Sequence, residues 1–145
     1  AIWIFYGWAG VKTELEGLET DYFAFADLNP VFDFYTPVII ANNTFLAEEP
    51  ETARAFLDAV SRGYEFAIEH PQEAGEILCN AAPELDPDLV KASQEYLADK
   101  YQADAPQWGY IDQERWDAYY AWLNEKGLTE TPIEAGTGCS NEYLP

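Results

Sequence analysis

Methionine is absent from this chain of 145 residues, histidine occurs once and cysteine only twice. Cations are scarce as well: seven Lys and Arg stand against 27 Asp and Glu, for a formal net charge of −20. Each shortage excludes a class of function. No Ser/His/Asp set, glycine-rich phosphate loop or metal box can be assembled around His70, the lone histidine. Cys79 and Cys139 have no C-x-x-C spacing, so zinc held by cysteines is excluded within one chain. A disulfide between them fits an exported protein, whereas two separate buried thiols are the commoner state. The negative surplus repels phosphate backbones and anionic membranes, so no nucleic-acid partner is expected. No run approaches the roughly 18 apolar residues that a spanning helix needs. The chain opens on an apolar run with neither cap nor leader, which reads as a fragment or a processed product.

What is present points to a globular domain. Hydrophobic residues make up 48% of the chain, too many for a disordered one, and the length allows one domain with a proper core. Aromatic residues reach 16%, with five Trp and ten Tyr. Such rings bury large areas and line clefts for ring-shaped ligands. The opening run Ala1-Ile2-Trp3-Ile4-Phe5 reads as a buried strand. Tyr6-Gly7-Trp8-Ala9-Gly10 interrupts it, and residues 8–18 read as a short helix with Val11, Leu15 and Leu18 on one face. Gly17 weakens its last turn. Ligands of open α/β sheets bind outside the carboxyl ends of strands. Tyr6 and Trp8 are thus placed to stack on a flat ligand; the competing reading is that both rings fill core.

Tyr22 to Ala26 reads as a second strand, followed by turn chemistry at Asp27-Leu28-Asn29-Pro30. A third extended run goes from Asp33 to Ile40, with Pro37 at its start or on an edge. Residues 50–126 then read as almost wholly helical. Pro50 opens the first long helix, with Ala53, Phe56, Leu57, Val60, Tyr64 and Ala67 as its apolar stripe; Phe56 and Leu57 are expected in the core. His70-Pro71 ends it and begins the next, His70 reading as a capping or surface residue. Asp86-Pro87 starts a third helix with the stripe Leu89, Val90, Ser93, Tyr96 and Leu97. Asp112 caps a fourth that carries Trp116, Tyr119, Tyr120 and Leu123, and Gly127 stands where a left-handed cap belongs. The tail from Thr129 is expected to be irregular. Glu48-Glu49 and the acids from Asp99 to Asp104 read as solvated faces, and Asn42-Asn43-Thr44 matches a glycosylation sequon. The expected fold class is α/β, a few strands followed by a mostly helical C-terminal region.

The order of these stretches resembles the C-terminal half of the substrate-binding proteins of bacterial ABC importers. The likeness is to the branch similar to thiamine-pyrimidine-precursor binders, which shares a fold with fungal pyrimidine synthases and with sulfonate and nitrate binders. It is carried by Ala1 to Trp8, Phe34-Tyr35-Thr36-Pro37-Val38-Ile39-Ile40-Ala41, Pro50 to Ala74, and Pro83-Glu84-Leu85 with Ala92 to Leu97. Trp108-Gly109 with Trp116 and the terminus Ser140 to Pro145 complete it.

The resemblance implies part of a two-lobed type II periplasmic binding protein. Residues 1–36 would end the second lobe and return through the hinge, and residues 37–145 would complete the first lobe. Tyr6, Gly7, Trp8 and Tyr35 would bind the ligand, with Gly7 letting the backbone approach it. Family pyrimidine binders often carry Glu after Gly-Trp; Ala9 stands there, which leaves the ligand open. Cys139 takes the place of an aromatic residue.

The implied function is capture of a small heteroaromatic solute outside the cytoplasm, periplasmic or lipid-anchored on the cell surface, for delivery to an ABC permease. No catalytic residue, cofactor or metal is expected, and the reading is of a binder and not an enzyme. The alternatives are a pyrimidine-precursor synthase of the same fold, a binder of sulfonate- or nitrate-type anions, and an interaction module in which copies of the chain form a homo-oligomer.

Overall fold

The computed structural model describes residues 1–145. The chain is 54% helical and contains no strand. This overturns the α/β expectation. Periodicity reports burial, but a strand also needs a neighbour to accept its ladder of hydrogen bonds. Residues 1–5 find none. Phe5 is extended (φ −91°, ψ 116°), yet Ile2 and Trp3 are 88% and 67% exposed. Tyr22 to Ala26 is divided: Ala24 is extended, and helix α2 starts at Phe25. The run from Asp33 to Ile40 follows a 3₁₀ turn at Pro30–Phe32 and stays irregular, with Ile40 87% exposed.

The helices follow from local chemistry. They are α1 (Val11–Leu15), α2 (Phe25–Leu28), α3 (Asn43–Glu48), α4 (Pro50–Glu69), α5 (Pro71–Ala81), α6 (Pro87–Ala98) and α7 (Gln113–Glu125). Proline opens α4, α5 and α6, where its missing N–H costs nothing. Asp86 caps α6 by accepting from the amides of Asp88 at 2.9 Å and Leu89 at 3.3 Å. Asp112 caps α7 through the Arg115 amide at 2.8 Å. Asn42 caps α3 through the Thr44 amide at 2.8 Å. His70 makes no side-chain cap bond to α5.

Two helices end in the same way. Gly127 has φ +65°, its amide donates to the Asn124 carbonyl, and the Leu128 amide donates to that of Leu123. Gly17, also at φ +65°, closes α1 by the same pair of bonds from Gly17 to Glu14 and Leu18 to Thr13. Both are Schellman caps, which need a residue at ease with positive φ. Gly17 therefore ends its helix and does not weaken its last turn.

The chain forms two compact units. Unit 1 holds residues 1–21 and 58–108. Its centre is the pair α5 and α6, with α1 and a π turn at Tyr6–Gly10 laid on α6. Val11, Leu89, Val90 and Trp108 are buried there with Ser61 and Ser93. Gly75 of α5 is buried against α6, where a Cβ would stand in ordinary contact with Lys91 Cγ at 3.5 Å.

Unit 2 holds residues 22–57 and 109–145. A series of rings runs from Phe23 through Phe25 and Phe32 to Trp122, with neighbouring centroids 5.0–6.1 Å apart. The tail is irregular but tied down. Asn141 exchanges two bonds with the Ile111 backbone at 2.8 and 2.9 Å, and the Trp116 indole donates to the Thr137 carbonyl at 3.0 Å. Within α4, Ala53 and Ser61 are the buried positions, whereas Phe56 is 55% exposed and Leu57 only half-buried. Ala53 is buried and Leu57, Val60, Tyr64 and Ala67 are half-buried as the expected stripe has it, so Phe56 is its one member that faces solvent. Cys79 and Cys139 are both free thiols.

Candidate functional site

The Tyr6-Gly7-Trp8 run forms where the extended opening segment bends into helix. The Phe5 carbonyl accepts from the amides of Trp8 at 3.2 Å and Ala9 at 3.1 Å, and residues 6–10 wind into a single π turn. Such turns are uncommon and recur at functional sites. Gly10 is buried beneath the Tyr6 ring; a Cβ there would stand 2.5 Å from Tyr6 Cδ2. The Tyr6 ring also packs on Tyr96 of α6 (centroids 5.3 Å apart), and its hydroxyl donates to the Glu14 carboxylate.

Gly7 is fixed from the same side. Its carbonyl accepts from the Ser93 hydroxyl. A Cβ on Gly7 would meet Leu97 Cδ2 at 2.7 Å. Packing against α6 is therefore itself a reason for glycine at this position. Trp8 is different: its side of the turn is open, and the residue is 40% exposed.

Tyr35 lies in unit 2. Its hydroxyl accepts from the Asp112 amide at 2.9 Å, and the Arg115 guanidinium lies 4.4 Å over its ring. Arg115 also donates to the Asp33 carbonyl and carboxylate, both at 2.6 Å. Beside Tyr35, the rings of Phe34, Trp116, Tyr119 and Tyr120 enclose a cleft of about 30 Å³. That is room for one water or a methyl group. Phe34 stacks on Tyr119 with centroids 4.3 Å apart. The turn around Trp8 and the cleft beside Tyr35 are each complete within their own unit.

Two features escape sequence reasoning. One is this aromatic cleft, whose helical members read as core from their spacing. The other is an open groove of about 360 Å³ in unit 1, lined by Val60, Gly63, Tyr64, Ala67, Gln94 and Tyr101. Tyr64 stacks on Trp108 at 4.4 Å, and the Tyr101 hydroxyl donates to Gln94. Burial pushes the Tyr101 phenol above its ordinary 10.0; nearby Tyr64 adds to the rise and the Gln94 bond opposes it. Burial likewise pushes up the Cys139 thiol, against a bond to Gln113. The glycosylation sequon is engaged, since the Asn42 side chain serves as the α3 cap. No group of three or more His, Cys, Asp or Glu is placed to hold a metal ion. No helix is long and apolar enough to cross a membrane.

Residues 1–74 match the family model described as NMT1/THI5 like. The chain is 30% identical over 129 residues to a formylaminopyrimidine-binding protein of Halalkalibacterium halodurans, covering 83% of this chain and 37% of that protein. It is 24% identical over 145 residues to the riboflavin-binding protein RibY of Chloroflexus aurantiacus, covering 93% and 39%. It is 38% identical over 116 residues to 4-amino-5-hydroxymethyl-2-methylpyrimidine phosphate synthase of Candida albicans, covering 77% and 31%. The chain thus spans less than two-fifths of the length of these relatives. The third relative bears the name of an enzyme, which overturns the expectation that the chain is not one: binders and an enzyme occur among its relatives alike. The extent of the family match and the similarity to the first relative together place the chain in the NMT1/THI5-like family.

Proposed function

We propose that the chain is part of a protein that binds a small flat heteroaromatic, of the aminopyrimidine or flavin type, with the Trp8 indole as a stacking face. One observation carries the reading. Trp8 stays 40% exposed on a turn whose neighbours Tyr6 and Gly7 are pinned to α6. A ring presented on a fixed backbone binds with little loss of conformational entropy. Stacking a base on an aromatic side chain contributes roughly 1–3 kcal/mol. The names of the first two relatives, an aminopyrimidine binder and a riboflavin binder, support a heteroaromatic ligand. The net charge of −20 works against capture of sulfonate or nitrate.

In this reading Tyr6 and Gly7 shape the turn that presents Trp8. The protein acts outside the cytoplasm and hands its ligand to an ABC permease. A thermal-shift panel on the full-length protein tests the ligand class, with formylaminopyrimidine, 4-amino-5-hydroxymethyl-2-methylpyrimidine, riboflavin, nitrate and a sulfonate. Stabilisation by one of the first three alone supports the proposal. Stabilisation by an anion only, or by none of the five, overturns it.

A further inference from the structure

Tyr101 commits its phenolic proton inside unit 1. Its amide donates to the Leu97 carbonyl of α6 at 3.0 Å, and its hydroxyl donates to Gln94 Oε1 on the same helix. A phenol whose proton is given away can only accept from anything else that reaches it. Tyr101 and Gln94 line the open groove of about 360 Å³, together with Tyr64 and the small residues Gly63 and Ala67 of α4. The rings are held in place. Tyr64 stacks on buried Trp108 with centroids 4.4 Å apart and meets Tyr101 edge to face at 5.0 Å. The space is open at Gly63, where a Cβ would meet nothing within 4 Å. Its volume falls within the range of small-molecule sites, about 300–1,000 Å³.

We propose that this groove is a second ligand site, which shares no residue with the turn at Trp8 and takes a primary ammonium on an apolar or aromatic body, such as an arylalkylamine. Three observations select that chemistry. The Tyr101 oxygen needs a donor opposite it. The faces of tyrosine rings carry negative charge density and attract cations. None of the lining residues is charged, and the net charge of −20 gathers cations at the surface and repels anions. Val60 and Ala67 offer apolar contact to the body of the ligand. Burial and nearby Tyr64 keep the phenol neutral past its ordinary 10.0, so the acceptor persists wherever an alkylammonium keeps its proton.

The test is calorimetric titration of the full-length protein with phenethylamine and with its neutral counterpart 2-phenylethanol. Phenethylamine is expected to bind saturably, at least tenfold more tightly than the alcohol, and to weaken as salt is raised. Tyr101→Phe removes the acceptor and lowers its affinity about tenfold. Gly63→Leu fills the groove and lowers it to a similar extent, with the variant's thermal midpoint reporting that it is folded. Trp8→Ala leaves it unchanged. In protein carrying 3-fluorotyrosine at position 101, phenethylamine shifts the fluorine resonance. No saturable binding of phenethylamine, which is also the result if another part of the polypeptide fills the groove, overturns the proposal. So does equal affinity for the amine and the alcohol, an unmoved resonance, or unchanged affinity in either Tyr101→Phe or Gly63→Leu. A loss in Trp8→Ala assigns the amine to the turn and overturns it as well. The outcome is independent of whether a heteroaromatic binds at Trp8.

Discussion

The hydroxyl of Ser93, on a buried position of α6, donates to the carbonyl of Gly7 across 86 residues of sequence. It ties the π turn that carries Trp8 to the helix beneath it. Ser93→Ala removes that bond, and a net loss of about 0.5–1.5 kcal/mol is expected in urea unfolding. Loss of stability with no change in ligand affinity would show that the turn does not depend on this tie.

Gly7 sits against Leu97. A methyl group there would stand 2.7 Å from Leu97 Cδ2, so Gly7→Ala overpacks the contact and costs roughly 1–3 kcal/mol. Leu97→Ala in the same protein makes room, and the double variant is expected to be more stable than the sum of the two single changes predicts. Strict additivity in a double-mutant cycle contradicts the contact.

Two other glycines behave in opposite ways. Gly63 lies inside α4, and a Cβ added there would meet nothing within 4 Å, so Gly63→Ala is expected to stabilise by about 0.5–1 kcal/mol. Gly17 has equally open space but φ +65°, and Gly17→Ala is expected to destabilise by about 1 kcal/mol. Thermal melts of the pair separate backbone strain from crowding.

Stability is expected to fall in alkali through Tyr101. Its phenol titrates above 10.0 in the folded state because it is partly buried, with a further rise from Tyr64. The neutral phenol is favoured by folding, so its contribution is complete below the unfolded pKa. It is lost as pH rises through the higher folded value. Tyr101→Phe cannot ionise, so its melting temperature declines less between about pH 9 and pH 11. Equal declines in both proteins would remove Tyr101 as the cause.

The helices are legible in the sequence because their signals are local. Pro50, Pro71, Asp86-Pro87 and Asp112 mark starts, and Gly127 marks an end. The α6 stripe is legible too, since Leu89, Val90 and Ser93 are buried and Tyr96 meets Tyr6. The absence of strands is not, because pairing depends on a second segment, and the apolar run Ile2-Trp3-Ile4-Phe5 does not reveal that none is there. Short α3 escapes because its apolar residues do not form a long stripe. Of the expected site residues, the sequence locates the bend at Tyr6-Gly7-Trp8. It gives no hint that Tyr35 is clamped by Arg115, from 80 residues along the chain. The available signal is a cation in the first turn of an Asp-capped helix, in a chain with few cations.

The central claim is that Trp8 offers a stacking face to a flat heteroaromatic. Calorimetric titration of the full-length protein and its Trp8→Ala variant with 4-amino-5-hydroxymethyl-2-methylpyrimidine and with riboflavin tests it most directly. The account predicts saturable binding of at least one of them and a loss of about tenfold or more in the variant, the equivalent of one stacked ring. Equal affinity in the two proteins, or no saturable binding of either ligand, would contradict it.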